Sequence, residues 1–263
     1  MTELTLINPE SLPNDDEFLW RYFDIHKFLN LINQKRFRFT RIDQFEDTLE
    51  GIPFETLQRF LYINNESKFK LADIILGSTE SFIMPMTNLN GRINEIHNIQ
   101  SSHFVSCWFC EQRESMAMWN LYSNPDGVAL KVTFGKLKTL LKPESTKIDY
   151  KEYFCGKVIY QNFLKQDSSA IDRLSELEKV SLRKDVSFSH EKEIRFVVKT
   201  NKSGGQITAI NTEPINLKEL DIKVICHPKM AQWKINNIKQ ILKDARLADT
   251  FLDSEIKLRS ILV

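Results

Sequence analysis

The stretch Phe188–Lys199 (F-S-H-E-K-E-I-R-F-V-V-K) sets the tightest limit on how this chain can fold. From Glu191 onward the residues alternate, and side chains on a strand point to opposite faces with period two. The spacing predicts a strand with Glu191, Glu193 and Arg195 on one face and Ile194, Phe196 and Val198 on the other. The apolar face requires a core beneath it. The charged face is then either a solvated, self-paired outer surface or a site mounted on a rigid element.

Similar strand-like stretches recur, separated by short helical ones. Phe18–Phe23 (F-L-W-R-Y-F) is aromatic and extended, and it carries Arg21, a cation that must find a partner or bind an anion if buried. Asp24 caps a helix bearing Ile25, Phe28, Leu29 and Ile32 at helical spacing. Arg36–Arg41 alternates again, with Phe37 and Phe39 on one face and Arg38 and Thr40 on the other. Further strands are expected at Phe104–Cys110, Val128–Phe134, Gly156–Gln161 and Ile222–Cys226, with a closing strand or tail at Ile256–Val263. Helices are expected at Glu114–Tyr122, where Trp119 and Tyr122 share one face, at Ser168–Lys184, and from Pro228 onward. Such a ring pair serves core packing or a pocket wall.

Strands outnumber regular crossovers, which predicts an α+β fold: a mixed, mostly antiparallel sheet with flanking helices. One domain is expected over 1–263, with residues 1–16 as an N-terminal arm. Residues 55–100 read as helical pieces broken at Gly77, Pro85 and Gly91, forming an insertion or a lid.

Composition narrows the chemistry. Net charge is +1, so bulk electrostatics point to neither nucleic acid nor an anionic membrane. Eight glycines in 263 residues is less than half the average usage of about 7%. Neither a Walker A sequence nor G-x-G-x-x-G is present, so nucleotide binding by those loops is excluded. Cys107 and Cys110 form a C-x-x-C with His103 nearby, but a strand turns an i, i+3 pair to opposite faces and no second pair completes a zinc set. No metal is expected. The start of the chain lacks an export signal and no apolar run reaches about 18 residues, so a cytoplasmic protein with reduced cysteines and no membrane partner is expected.

Several pieces taken together carry a resemblance: L-W-R-Y-F, F-R-F-T-R-I-D-Q-F-E-D, C-W-F, S-M-A-M-W-N-L-Y, G-V-A-L-K-V, V-I-Y and F-S-H-E-K-E-I-R-F-V-V, in that order. Over roughly residues 18 to 245 the chain resembles the bacterial domain-of-unknown-function family 2971. It departs from that family in the acidic loop, where Glu46-Asp47-Thr48 stands in place of the common N-D-P.

A more distant similarity is to ADP-ribosyltransferase-like folds, in which an Arg- or His-bearing strand precedes a later strand with E-x-E. That similarity implies NAD as co-substrate and an ADP-ribosyltransferase or NAD glycohydrolase activity, in a toxin or phage-defence role. By the same comparison Glu193 would stabilise the oxocarbenium-like charge and Glu191 would orient or deprotonate an acceptor, protein or nucleic acid. Arg21 would hold the phosphates or ribose, with Thr40, Trp119, Tyr122 and Arg195 lining the dinucleotide site. The family's Ser-Thr-Ser strand has only Phe104–Cys107 as its nearest counterpart. Two other readings stay open. One is a binding or regulatory module in which Glu191, Glu193 and Arg195 form a structural network beneath Trp119 and Tyr122. The other is a Mg²⁺-dependent nuclease or phosphodiesterase using Asp47, Glu50, Glu191 and Glu193.

Overall fold

A computed structural model describes residues 3–47, 49–52, 94, 96–145, 149–163, 180–201 and 205–257. The expected class is found: α+β, with a mostly antiparallel sheet. Its strands are β1 (Thr5–Leu6), β2 (Phe18–Phe23), β3 (Arg38–Arg41), β4 (His103–Cys110), β5 (Val128–Thr133) and β6 (Tyr150–Lys157), then β7 (Ile159–Gln161), β8 (Arg183–Asp185), β9 (Glu193–Thr200), β10 (Ala209–Asn211), β11 (Lys223–Cys226) and β12 (Phe251–Leu252). Among the described residues the large sheet runs β1-β6-β9-β4-β2-β5-β11-β12, with β3 attached to β4 and β10 to β3, while β7 and β8 form a separate parallel pair.

Helices among the described residues include α1 (Ile25–Gln34), α2 (Met116–Tyr122), α3 (Phe134–Leu140) and α4 (Gln232–Asp244). Asp24 caps α1 as expected, its carboxylate accepting the Lys27 N–H at 2.9 Å. The apolar stripe of α1 (Phe28, Leu31, Ile32) joins α3 and α4 on one face of the sheet. There Phe104, Phe196, Val198 and Ile194 meet Leu137, Ile238 and Leu242 in the main core. Among the described residues the other face is covered by α2 over Trp20, Tyr22 and Phe109, and by Ile42 and Leu182 over Val105, Phe154 and Val197.

β2 and β3 lie end to end along one edge of β4. β2 pairs with the last residues of that strand (Leu19 with Cys110, Trp20 with Phe109), and β3 pairs with its start (Thr40 with Val105, Arg41 with Phe104). Arg21 sits where the two part. Its guanidinium donates to Ser106 Oγ at 2.7 Å and to the Arg38 carbonyl at 3.2 Å, between the rings of Phe23, Phe37 and Trp108. The aromatic company of this arginine in the sequence is thus a cation held in a break of the sheet.

Several expectations are corrected. Within the expected N-terminal arm, Thr5 and Leu6 are tied to the sheet, pairing in parallel with Phe154 and Cys155 of β6. The strand placed at Phe188 begins only at Glu193, after a 3-10 turn over Val186–Glu191. At the end of the expected Ser168 helix, Val180–Leu182 form a 3-10 turn and Arg183–Asp185 a strand; residues 168–179 lie outside the described ones. The last helix starts at Gln232 rather than at Pro228. A short strand at Phe251–Leu252 precedes the closing segment, and Ile256 and Lys257 form no strand; residues 258–263 lie outside the described ones. Phe134 opens α3, a helix that the strand-like spacing concealed. The insertion or lid expected at 55–100 also lies outside the described residues, except for residues 94 and 96–100, which are helical and continue through 102 into β4. Among the described residues no helix is long and apolar enough to cross a membrane.

Candidate active site

The face of the sheet opposite the main core holds a buried cluster of five ionisable side chains. Alternation along β9 aims Glu193 and Arg195 at this face and Ile194 and Phe196 at the main core, as the sequence pattern requires. Arg195 has no exposed surface. Its Nε and one terminal nitrogen donate to the two oxygens of Glu193 at 2.8 and 3.0 Å, a fork-to-fork pair. The other terminal nitrogen donates to the Ser181 carbonyl at 2.8 Å.

Glu191 stands off the strand. Lys192 adopts a left-handed backbone (φ 42°), which breaks the alternation and ends the 3-10 turn. The expected shared strand face for Glu191 and Glu193 is corrected to that extent, yet both carboxylates reach the same point through Lys184 of β8. Lys184 Nζ donates to Glu191 Oε2 at 2.6 Å and to Glu193 Oε1 at 3.3 Å, and lies 4.4 Å from the Phe188 ring. Glu50, from the acidic loop, completes the cluster. It is buried against Arg195 and lies 3.8 Å from Lys184 Nζ.

Two phenols border the carboxylates. Tyr122, at the end of α2, donates to Glu191 Oε1 while leaving 45% of its surface open to solvent. Tyr160 accepts the Glu193 backbone N–H at 2.9 Å. Gly156 of β6 pairs with Arg195, and a Cβ at that position would meet Leu182 Cδ1 at 2.4 Å. The missing side chain is what lets residues 180–184 close over the cluster.

The carboxyls titrate apart. Burial would raise Glu193, but the Arg195 guanidinium, its bonds and Lys184 override that and hold it well below the carboxylate range. Burial pushes Glu191 up to about 7, helped by the adjacent Glu193 and opposed by Lys184 and Tyr122. Burial likewise raises Glu50 against the pull of Arg195 and Lys184. Burial opposes the charge on Lys184, yet Glu193 and Glu50 prevail and raise it above its ordinary value. Cys107, which faces Arg195 across the β4–β9 pair, is raised well above the thiol range by burial and by Glu193, so it is no thiolate nucleophile.

The remaining expected site residues are dispersed. Arg21 shares a face with Phe23, Ser106 and Trp108, which is the face of Ile194 and Phe196 rather than of Glu193. Among the described residues no carboxylate pairs with it, and burial lowers it to about 10. Thr40 pairs with Val105, which pairs with Val197, so it lies four strand residues, about 13 Å, along from Glu193. Trp119 is fully buried, edge-on to Tyr22 and His227 at 4.9 and 5.0 Å, and donates to Glu114 Oε2 at 2.8 Å. Of the helix pair only Tyr122 reaches the cluster. Asp47 turns away, its Oδ1 accepting the Leu49 N–H at 2.9 Å. Among the described residues no three His, Cys, Asp or Glu side chains form a metal-binding group. The nitrogens of Lys184 and Arg195 occupy the space between the three glutamates.

Lys184 escaped the sequence reading because the helical periodicity of the preceding residues absorbed it. The one sequence signal for Glu50 was its place in the acidic loop.

Residues 118–196 match a family model described as "Protein of unknown function (DUF2971)". The matched span carries Tyr122, Lys184, Glu191, Glu193 and Arg195. No curated protein and no solved structure matches the chain.

Proposed function

We propose that this chain is a glycosyl-transfer enzyme that consumes NAD, as an ADP-ribosyltransferase or an NAD glycohydrolase, with Glu193 and Glu191 as its working pair. The reading is carried by one observation: two neighbouring carboxyls share Lys184 yet are driven in opposite directions, and the one raised to about 7 is hydrogen-bonded to a half-exposed tyrosine. Loss of nicotinamide from a ribose leaves an oxocarbenium-like centre, and a fixed carboxylate beside it lowers the barrier electrostatically. Glu193 supplies that charge. A group titrating near 7 suits removal of a proton from the acceptor, water or a macromolecular nucleophile, and Glu191 supplies it. Tyr122 links Glu191 to solvent. Arg21, on the opposite face, takes no part; among the described residues the cations in contact with the two carboxyls are Lys184 and Arg195.

A second reading has its own support. Glu193 accepts from Arg195 twice and from Lys184 once within a buried cluster, and a carboxylate so fully occupied suits a structural network in a binding module. Nicotinamide release from NAD by the wild type, by Glu193→Gln and by Glu191→Gln, with candidate acceptors present, separates the two. Release that falls by at least 10²-fold in Glu193→Gln, while the fold is retained, supports the enzyme. No release from the wild type, even with lysate supplying acceptors, assigns the cluster to structure.

A further inference from the structure

Glu50 is held differently from the other members of the cluster. It is the one acid brought from a separate segment, the loop before Gly51, whose backbone is left-handed (φ 80°). Glu193 meets Arg195 and Lys184 through three formed hydrogen bonds, whereas neither oxygen of Glu50 has a well-aligned partner among the described residues. Its contacts are ionic, to Arg195 and, at 3.8 Å, to Lys184. The same two cations hold Glu193 below the usual carboxylate range yet leave Glu50 above it. Glu50 is therefore the acid with least to lose by leaving.

The charges agree. Below about pH 7, with a proton on Glu191, the two cations are balanced by Glu193 and Glu50. Without Glu50 the cluster carries one net positive charge, buried and facing the volume that a carboxylate had filled. A buried unpaired cation is costly, so another monoanionic group is drawn to the same place. We propose that Arg195 and Lys184 form a binding site for an anionic group, phosphoryl or carboxylate, that Glu50 occupies as an internal stand-in and from which a ligand displaces it. This deepens the NAD reading by giving the ligand's negative group a place. Its test reads no turnover, so the two ideas fail separately.

The test is anion rescue. Wild type, Glu50→Ala and Glu50→Gln are melted at pH 6 and constant ionic strength while sodium formate or inorganic phosphate replaces sodium chloride. The expected result is a saturable rise in Tm for Glu50→Ala, of about 2–5 °C at ten times the dissociation constant, with a smaller rise or none in the wild type. A larger response to phosphate assigns the site to phosphoryl groups, and a larger response to formate assigns it to carboxylates. Glu50→Gln keeps the shape and removes the charge, so it serves where Glu50→Ala does not fold, and phosphorus NMR then reads phosphate binding directly. Equal Tm values in chloride, formate and phosphate for both variants, with no phosphate bound to Glu50→Gln, overturn the proposal.

Discussion

Replacing Arg195 by Met tests how far the cluster governs stability. The change keeps an unbranched side chain in a fully buried site but removes three hydrogen bonds, two to Glu193 and one to the Ser181 carbonyl, and the ionic contact to Glu50. Three carboxyls then face one ammonium. Breaking a buried pair costs about 3–5 kcal/mol, because the remaining charge is left uncompensated. The unpaired Ser181 carbonyl adds about 1 kcal/mol, which protonation of Glu50 and the packing of Met partly offset. The expected loss is about 4 kcal/mol, a fall in Tm of about 8–16 °C. Urea denaturation at pH 7.5 measures it. The double variant Arg195→Met/Glu193→Leu removes charge in a balanced way and should recover more than half of the loss, because directly paired residues are not additive. A single-variant cost below about 1 kcal/mol, or a double variant costing the sum of its parts, refutes the argument that the cluster is a desolvated, mutually dependent unit.

Two further predictions concern proton linkage and packing. The folded protein holds Glu191 protonated up to about 7, above its ordinary value near 4.5. The native state therefore binds the extra proton in that window, so Glu191's stabilising contribution is fully present below about 4.5 and lost as pH rises toward 7. His103 acts oppositely, since burial lowers it to about 4 and stability falls as pH drops from 6.5. The unfolding free energy of wild type minus that of Glu191→Gln should decline from pH 4.5 to 7 and then level off, and a difference flat across that range defeats the assignment. Gly156→Ala should cost about 1–3 kcal/mol by chemical denaturation, because its Cβ drives Leu182 off the sheet; an unchanged midpoint shows that the 180–182 turn yields freely.

Local periodicity alone sets the two faces of β9. Period-two alternation requires Ile194, Phe196 and Val198 to share a face opposite Glu193 and Arg195, and the structure keeps that division. Asp24 as a cap, the strands beginning near Phe18, Phe104 and Val128, and the α+β class follow from equally local physics. Tertiary structure decided which charges meet. Glu50 comes from a distant segment, and Lys184, though only seven residues before Glu191, sits on a separate strand brought in by the closure of residues 180–184 over Gly156; no spacing rule links either to β9. It also decided which face Arg21 takes, because period two separates the sides of one strand but does not say which side of β2 continues which side of β9. That correspondence is set by β4 lying between them and pairing with both, a non-local choice made when the sheet assembles.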